Sequence, residues 1–266
     1  MLRRTRRAAA VGLVAVVLAG CRDDSVLLSF RPPAGRTSSY HVIVTTATTL
    51  HLPGVAPAPP TPSVELRVDQ TVLPAANPDE VRVQIEVTPA GAATRTYVAR
   101  YDRAAQLTAI DRVEGIPTEA LGDLGLTEVF PAAAGAPPDR ALRAGDTWVI
   151  GEDVQLPGAT APVALSGRGK LVELAVVDGH RSATVHSTTA LPLVTDLTSS
   201  AGVQHLDGTQ TTDLDASYDV TDGSIVEGTA VTTGEFALVL SPPPGTRGDP
   251  LHGTLTVQVK TTIERV

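Results

Sequence analysis

The side chains able to do chemistry are few and scattered. Six histidines (His41, His51, His180, His186, His205 and His252) could ligate a metal or move protons near neutral pH. None forms a close helical pair or a Cys/His spacing. His180 and His186 are six residues apart. On one strand they would share a face yet stand about 20 Å apart at roughly 3.3 Å per residue, too far for one ion. The run Asp207–Asp215, DGTQTTDLD, lacks the spacing and the closing glutamate of a helix-loop-helix calcium loop, and reads as solvated acids at a turn. There is no Gly-x-Ser-x-Gly and no Ser-x-x-Lys for nucleophilic hydrolysis. Ser166-Gly167-Arg168-Gly169-Lys170 lacks the full phosphate-loop pattern, is followed by β-forming sequence, and reads as a surface turn. Arg247-Gly248-Asp249 is a tripeptide too short to carry a function. Asp23 and Asp24 have nothing beside them to raise a pKa. The expectation is a protein that is not an enzyme, with no catalytic residue, no metal and no cofactor.

The residue with the clearest chemistry is Cys21, the only cysteine, which excludes an intrachain disulfide framework. Before it stand Arg3, Arg4, Arg6 and Arg7, then an apolar run from Ala8 to Ala19. That run is about 12 residues, short of the ~20 needed to span a bilayer as a helix. Positive start, short apolar core and small-residue end make a secretory signal. Leu18-Ala19-Gly20-Cys21 resembles the lipobox of bacterial lipoproteins. The resemblance implies cleavage before Cys21 and a diacylglycerol on its thiol. The partner is then the membrane itself, and the location is the extracytoplasmic face of a bacterial cell membrane.

Charge agrees with a lipid anchor. The chain holds 21 basic and 29 acidic residues, a formal charge of −8. Removing residues 1–20 takes four arginines and no acid, leaving 17 against 29, or −12. An acidic body is repelled by anionic headgroups, so lipid has to hold it. Only two lysines occur, Lys170 and Lys260. Nucleic acid needs clustered cations and is excluded as a partner. Aromatics at 3% also give no stacking platform for single strands.

The positioning elements are β-strands. Residues 21–25 form a short tether, and a β-rich extracytoplasmic domain covers 26–266. Val26–Phe30 reads as a first strand, followed by a turn at Arg31–Gly35. Val64–Leu73 and Val81–Thr88 alternate apolar and charged residues, which predicts a sheet with one wet and one buried face. Asp178-Gly179 and Thr221-Asp222-Gly223 are hairpin turns. Pro117–Leu124 predicts one short helix capped by Thr118. Pro131–Asp139 is a connector between candidate halves 26–130 and 140–266. Weak parallels join those halves: Tyr40 with Trp148, and Tyr101-Asp102 with Tyr218-Asp219. The expected fold is mainly β, a large curved antiparallel sheet or two packed β subdomains from a duplication, with one short helix.

The chain resembles an uncharacterised family of actinobacterial lipoproteins catalogued as domain of unknown function 6263. The matching features are the lipobox at Leu18–Cys21, the strand and turn Leu28–Gly35 leading to Tyr40, Gly145-Asp146-Thr147-Trp148, the Tyr218–Gly223 hairpin and the strand Leu255–Ile263. They span roughly residues 27–264. The resemblance implies an exported all-β lipoprotein and brings no catalytic residues with it. A more distant likeness is to exported lipid-carrier lipoproteins. Two functions follow as expectations. The first is a non-catalytic, lipid-anchored envelope protein that binds a protein or a cell-wall component. The second is a lipid or glycolipid carrier with an apolar groove in the sheet. Tyr40 and Trp148 are the candidate rim of such a groove.

Overall fold

The structure, a computed structural model, describes residues 25–54, 63–91, 93–105, 107–114, 137–154, 163–177, 179–199, 202–243, 245–246 and 248–266. The leader, Cys21 and the segment 117–124 expected to be helical lie outside the described residues, as does most of the connector 131–139.

Eleven strands follow in chain order: β1 (Thr37–His51), β2 (Val64–Leu73), β3 (Val81–Pro89), β4 (Arg95–Tyr101), β5 (Leu107–Glu114), β6 (Thr147–Val154), β7 (Val163–Val177), β8 (His180–Ser199), β9 (Gly202–Asp219), β10 (Ile225–Ser241) and β11 (Leu251–Arg265). They form one antiparallel sheet in the order β5-β4-β3-β2-β1-β11-β10-β9-β8-β7-β6. The first and last strands meet in the middle, where β1 pairs with β11 from Tyr40 opposite Arg265 to His51 opposite Thr254. The two sequence halves therefore become the two flanks of one sheet.

Period-two patterning explains which face is covered. In β3, Val81, Val83, Ile85 and Val87 are buried while Arg82, Gln84 and Glu86 are half-buried. Two apolar clusters result, both on the face that carries Tyr40 and Val42. One gathers Leu142, Trp148, Ile150, Leu171, Val185 and Leu214 on the β6–β9 flank. The other gathers Tyr40, Val42, Val68, Ile85 and Tyr97 on the β1–β4 flank. We call this the inner face.

β8 is a strand of twenty residues that runs through Pro192. Its pairing with β7 stops at Ala190, while its pairing with β9 continues to Ser199. Pro192 therefore sits where the β7 side needs no donor, the setting that a strand proline tolerates.

Val26–Phe30 is corrected from a strand to part of a strap, residues 25–31. Val26 makes a single bridge to Leu142, with two backbone bonds of 2.8 Å. Further along, the Phe30 amide donates to Arg103 O at 2.9 Å and the Arg31 amide to Asp222 O at 2.7 Å. The strap thus joins the β4–β5 turn to the β9–β10 turn, which belong to opposite flanks. Its ring Phe30 meets Tyr101 edge-on at 5.8 Å. An ion cluster of two buried aspartates and two half-buried arginines holds the same end. Arg36 pairs with Asp222, Arg265 reaches Asp219 at 3.8 Å, and Arg265 donates to Ser224 Oγ at 3.2 Å.

The expected fold is corrected accordingly. In place of a curved sheet or two packed subdomains with one short helix, the chain forms one continuous open antiparallel sheet. It is not closed into a barrel, and there is no helix among the described residues.

Candidate ligand trough on the inner face

Register places small residues along the middle of the inner face. β10 carries Gly228, Ala230, Thr232 and Gly234 there, each opposite a residue of β11 and of β9. Gly228 lies between Ile263 and Ala216, and Ala230 between Thr261 and Leu214. Gly234 lies between Val257 and Gln210. Low side chains on β10 beside taller ones on β11 make a trough along the strand. From Gly228 to Gly234, over which the Phe236 ring lies, it runs about 20 Å at roughly 3.3 Å per residue.

Two cavities occupy this trough. One, of about 100 Å³, lies at the strap end under Phe30, Tyr40 and Tyr101. The other, of about 250 Å³, lies toward Phe236, Leu255 and Val257. Ala230 and Thr261 line both, so the cavities adjoin. Together they reach the lower end of the ~300–1,000 Å³ usual for a small-molecule site. The far-end walls are half-buried apolar residues, Leu206, Phe236, Leu255 and Val257 among them. Apolar surface left open on one face of a sheet is what a hydrocarbon ligand would cover.

The polar groups in the lining are few. Thr212 and Thr232 bond to each other across β9 and β10 at 2.9 Å. Tyr101 is 8% exposed, and its hydroxyl finds no partner among the described residues. Burial pushes this phenol well above its ordinary pKa, so it stays protonated and remains a donor. A buried donor left unpaired costs about 1–3 kcal/mol. Burial also raises Tyr40, which bonds to Ser38.

The expected rim residues part company. Tyr40 is buried and lines the strap-end cavity. Trp148 is buried in the β6–β9 cluster and is not among the residues lining either cavity. The residues that shape the trough, Gly228, Ala230, Gly234 and Tyr101, were not singled out as ligand residues from sequence. The signal for the floor is a small residue at alternate places in Gly228-Thr229-Ala230 and again at Gly234, visible only once Ile225–Ser241 is known to be the single strand β10.

The other face mixes polar and charged side chains with exposed valines, Val149 and Val194. His186 Nδ1 stands 2.8 Å from Asp215, and His205 Nδ1 stands 2.7 Å from Asp196, both across β8 and β9. Asp213 accepts from Thr188 at 2.7 Å. The acids of the Asp207–Asp215 run thus tie β9 to β8. Ser166–Lys170 is corrected from a surface turn to the middle of β7, paired on both sides. A depression of about 400 Å³ lies over His41, Asp215, Glu227 and Glu264. Glu227 and Glu264 are direct cross-strand partners, a like-charge pairing that the sheet tolerates at a cost. Among the described residues no group of three or more His, Cys, Asp and Glu is placed to hold a metal ion.

With fold and trough defined, the class is an open all-β sheet with an apolar trough on its inner face. No family model matches the chain, and no curated protein matches it.

Proposed function

We propose that this is a lipid-anchored protein of the extracytoplasmic membrane face that holds a lipid or glycolipid by its hydrocarbon chain. The observation that carries the reading is the apolar trough with its small-residue floor on β10. A membrane acyl chain spans about half of the ~30 Å hydrocarbon core, or about 15 Å, so the trough is long enough for one. Each CH₂ taken out of water contributes about 0.8 kcal/mol. The lipobox-like Leu18–Cys21 supports the anchor, which keeps the trough beside its source of lipid. From Cys21 to Val26 the chain reaches at most about 18 Å. Cys21→Ala is expected to move the protein from the membrane to the soluble fraction.

The test is native mass spectrometry of the full chain extracted in mild detergent from a bacterial host. A second lipid, beyond the one on Cys21, is the expected result. A chain carrying only its anchor would overturn the carrier reading. The second reading, a protein or cell-wall partner, has the outer depression over His41, Asp215, Glu227 and Glu264 in its favour. Retention on purified cell wall, lost when Glu227 and Glu264 are changed to Gln, would support it.

A further inference from the structure

We infer that the lipid held in the trough carries a neutral carbonyl, of ester or amide type, which accepts a hydrogen bond from the Tyr101 hydroxyl. This rests on the carrier reading and deepens it. Tyr101 ends β4 and lines the strap-end cavity beside Phe30, Val42 and Leu214. Its ring is fixed edge-on by Phe30. Its hydroxyl is buried, and no described residue accepts from it. Buried polar groups are nearly always satisfied, and an exception beside a cavity points to what enters it.

The surroundings narrow the class of acceptor. Val42, Val68, Val83 and Leu214 make the lining apolar, so an ionised headgroup there would be left desolvated. Arg36 and Arg265 are near Tyr40, but Asp219 and Asp222 already neutralise them. A free carboxylate therefore lacks a cation to meet. A pure hydrocarbon would leave the Tyr101 donor unpaired. A carbonyl linking an acyl chain to its headgroup meets both conditions. Gln70, half-buried on the same lining, leaves room for polarity at that end. The lipid would thus lie with its linkage at Tyr101 and its tail toward Phe236.

The test compares two fluorescent probes on the delipidated full chain. Diphenylhexatriene is a hydrocarbon without an acceptor, and methyl parinarate carries an ester. Tyr101→Phe is read by the ratio of its two affinities against the wild-type ratio, with diphenylhexatriene as the reference. Against that reference it should bind methyl parinarate roughly three- to tenfold more weakly, the size of one hydrogen bond. An equal ratio in the two proteins overturns the assignment of Tyr101 and leaves the trough standing. Wild type that binds neither probe overturns the trough itself, and the inference with it. The melting temperature of ligand-free Tyr101→Phe is the control. It should stay level or rise, because an unpaired hydroxyl is removed. A fall of several degrees would show that the hydroxyl already has a partner, and would sink the inference.

Discussion

Trp148 packs over Gly169, its cross-strand partner on β7, so closely that a Cβ on Gly169 would lie 2.2 Å from the indole Cε2. The indole fills the space that the glycine leaves, and β6 is thereby fixed at the sheet edge. Gly169→Ala should force the ring out. Overpacking of this kind costs about 1–3 kcal/mol, or roughly 2–4 °C of Tm for each kcal/mol in a domain this large. Trp148 is the only tryptophan, so its emission reports the site directly. The expected result is a lower Tm with a red-shifted emission. An unshifted spectrum in a fully stable variant would count against the packing described.

Much of the sheet could be read before the structure. Val64–Leu73 is β2 as predicted, because Glu65, Arg67 and Asp69 alternate with apolar residues. Gly179 and Gly223 turn their hairpins at φ of +82° and +70°. Even the parallel between Tyr101-Asp102 and Tyr218-Asp219 has a geometric basis. Asp102 accepts from the Ala104 amide and Asp219 from the Thr221 amide, each at 2.9 Å. What could not be read was long range. Leu27-Leu28-Ser29-Phe30 has strand composition, yet the Phe30 and Arg31 amides donate to two turns far apart in sequence. Nothing local says that β1 pairs with β11, and without that pairing Val42 and Tyr101 do not share a cavity with Ala230 and Leu214.

Gly223 carries the strap. Its φ is +70°, and a Cβ there would lie 2.4 Å from Ser29 O. Gly223→Ala therefore strains the turn and pushes on the strap at once. The Phe30 and Arg31 amides, bonded to Arg103 O and Asp222 O, should lose protection first. Amide hydrogen exchange read by mass spectrometry checks this. Faster exchange over residues 29–31, with β2 unchanged, is expected. Uniform protection would mean that the strap does not depend on this turn.

Acid should loosen the same end of the molecule. Burial alone would raise the pKa of Asp219. The Thr221 amide and hydroxyl, with Arg265 and Arg36, outweigh it and hold the carboxyl below its ordinary value. A lowered folded-state pKa gives stability that is present above the unfolded value, about 3.9, and lost as pH falls through the folded value. Thermal melts should therefore hold level from about pH 7 to pH 5 and drop below about pH 4. Asp219→Asn should cost about 1–2 kcal/mol near neutrality, since it removes a buried carboxylate from two half-buried guanidinium groups. The gap between variant and wild type should then narrow as pH falls. A gap that stays constant down to about pH 2.5 would show that Asp219 is not the group titrating.

Ala230 offers a graded test of the trough, because it alone of the β10 residues lines both cavities. Ala230→Leu and Ala230→Phe place progressively more side chain where the tail should lie. Each points into open volume, so the stability cost should stay within about 1–3 kcal/mol. Diphenylhexatriene affinity should fall stepwise, several-fold for Leu and to undetectable for Phe. Thr229→Phe, one residue away on the opposite face, is the control and should bind as the wild type does. Equal binding across the series would mean that the probe sits elsewhere. Loss of binding in Thr229→Phe as well would trace the effect to the strand and not to the space above it.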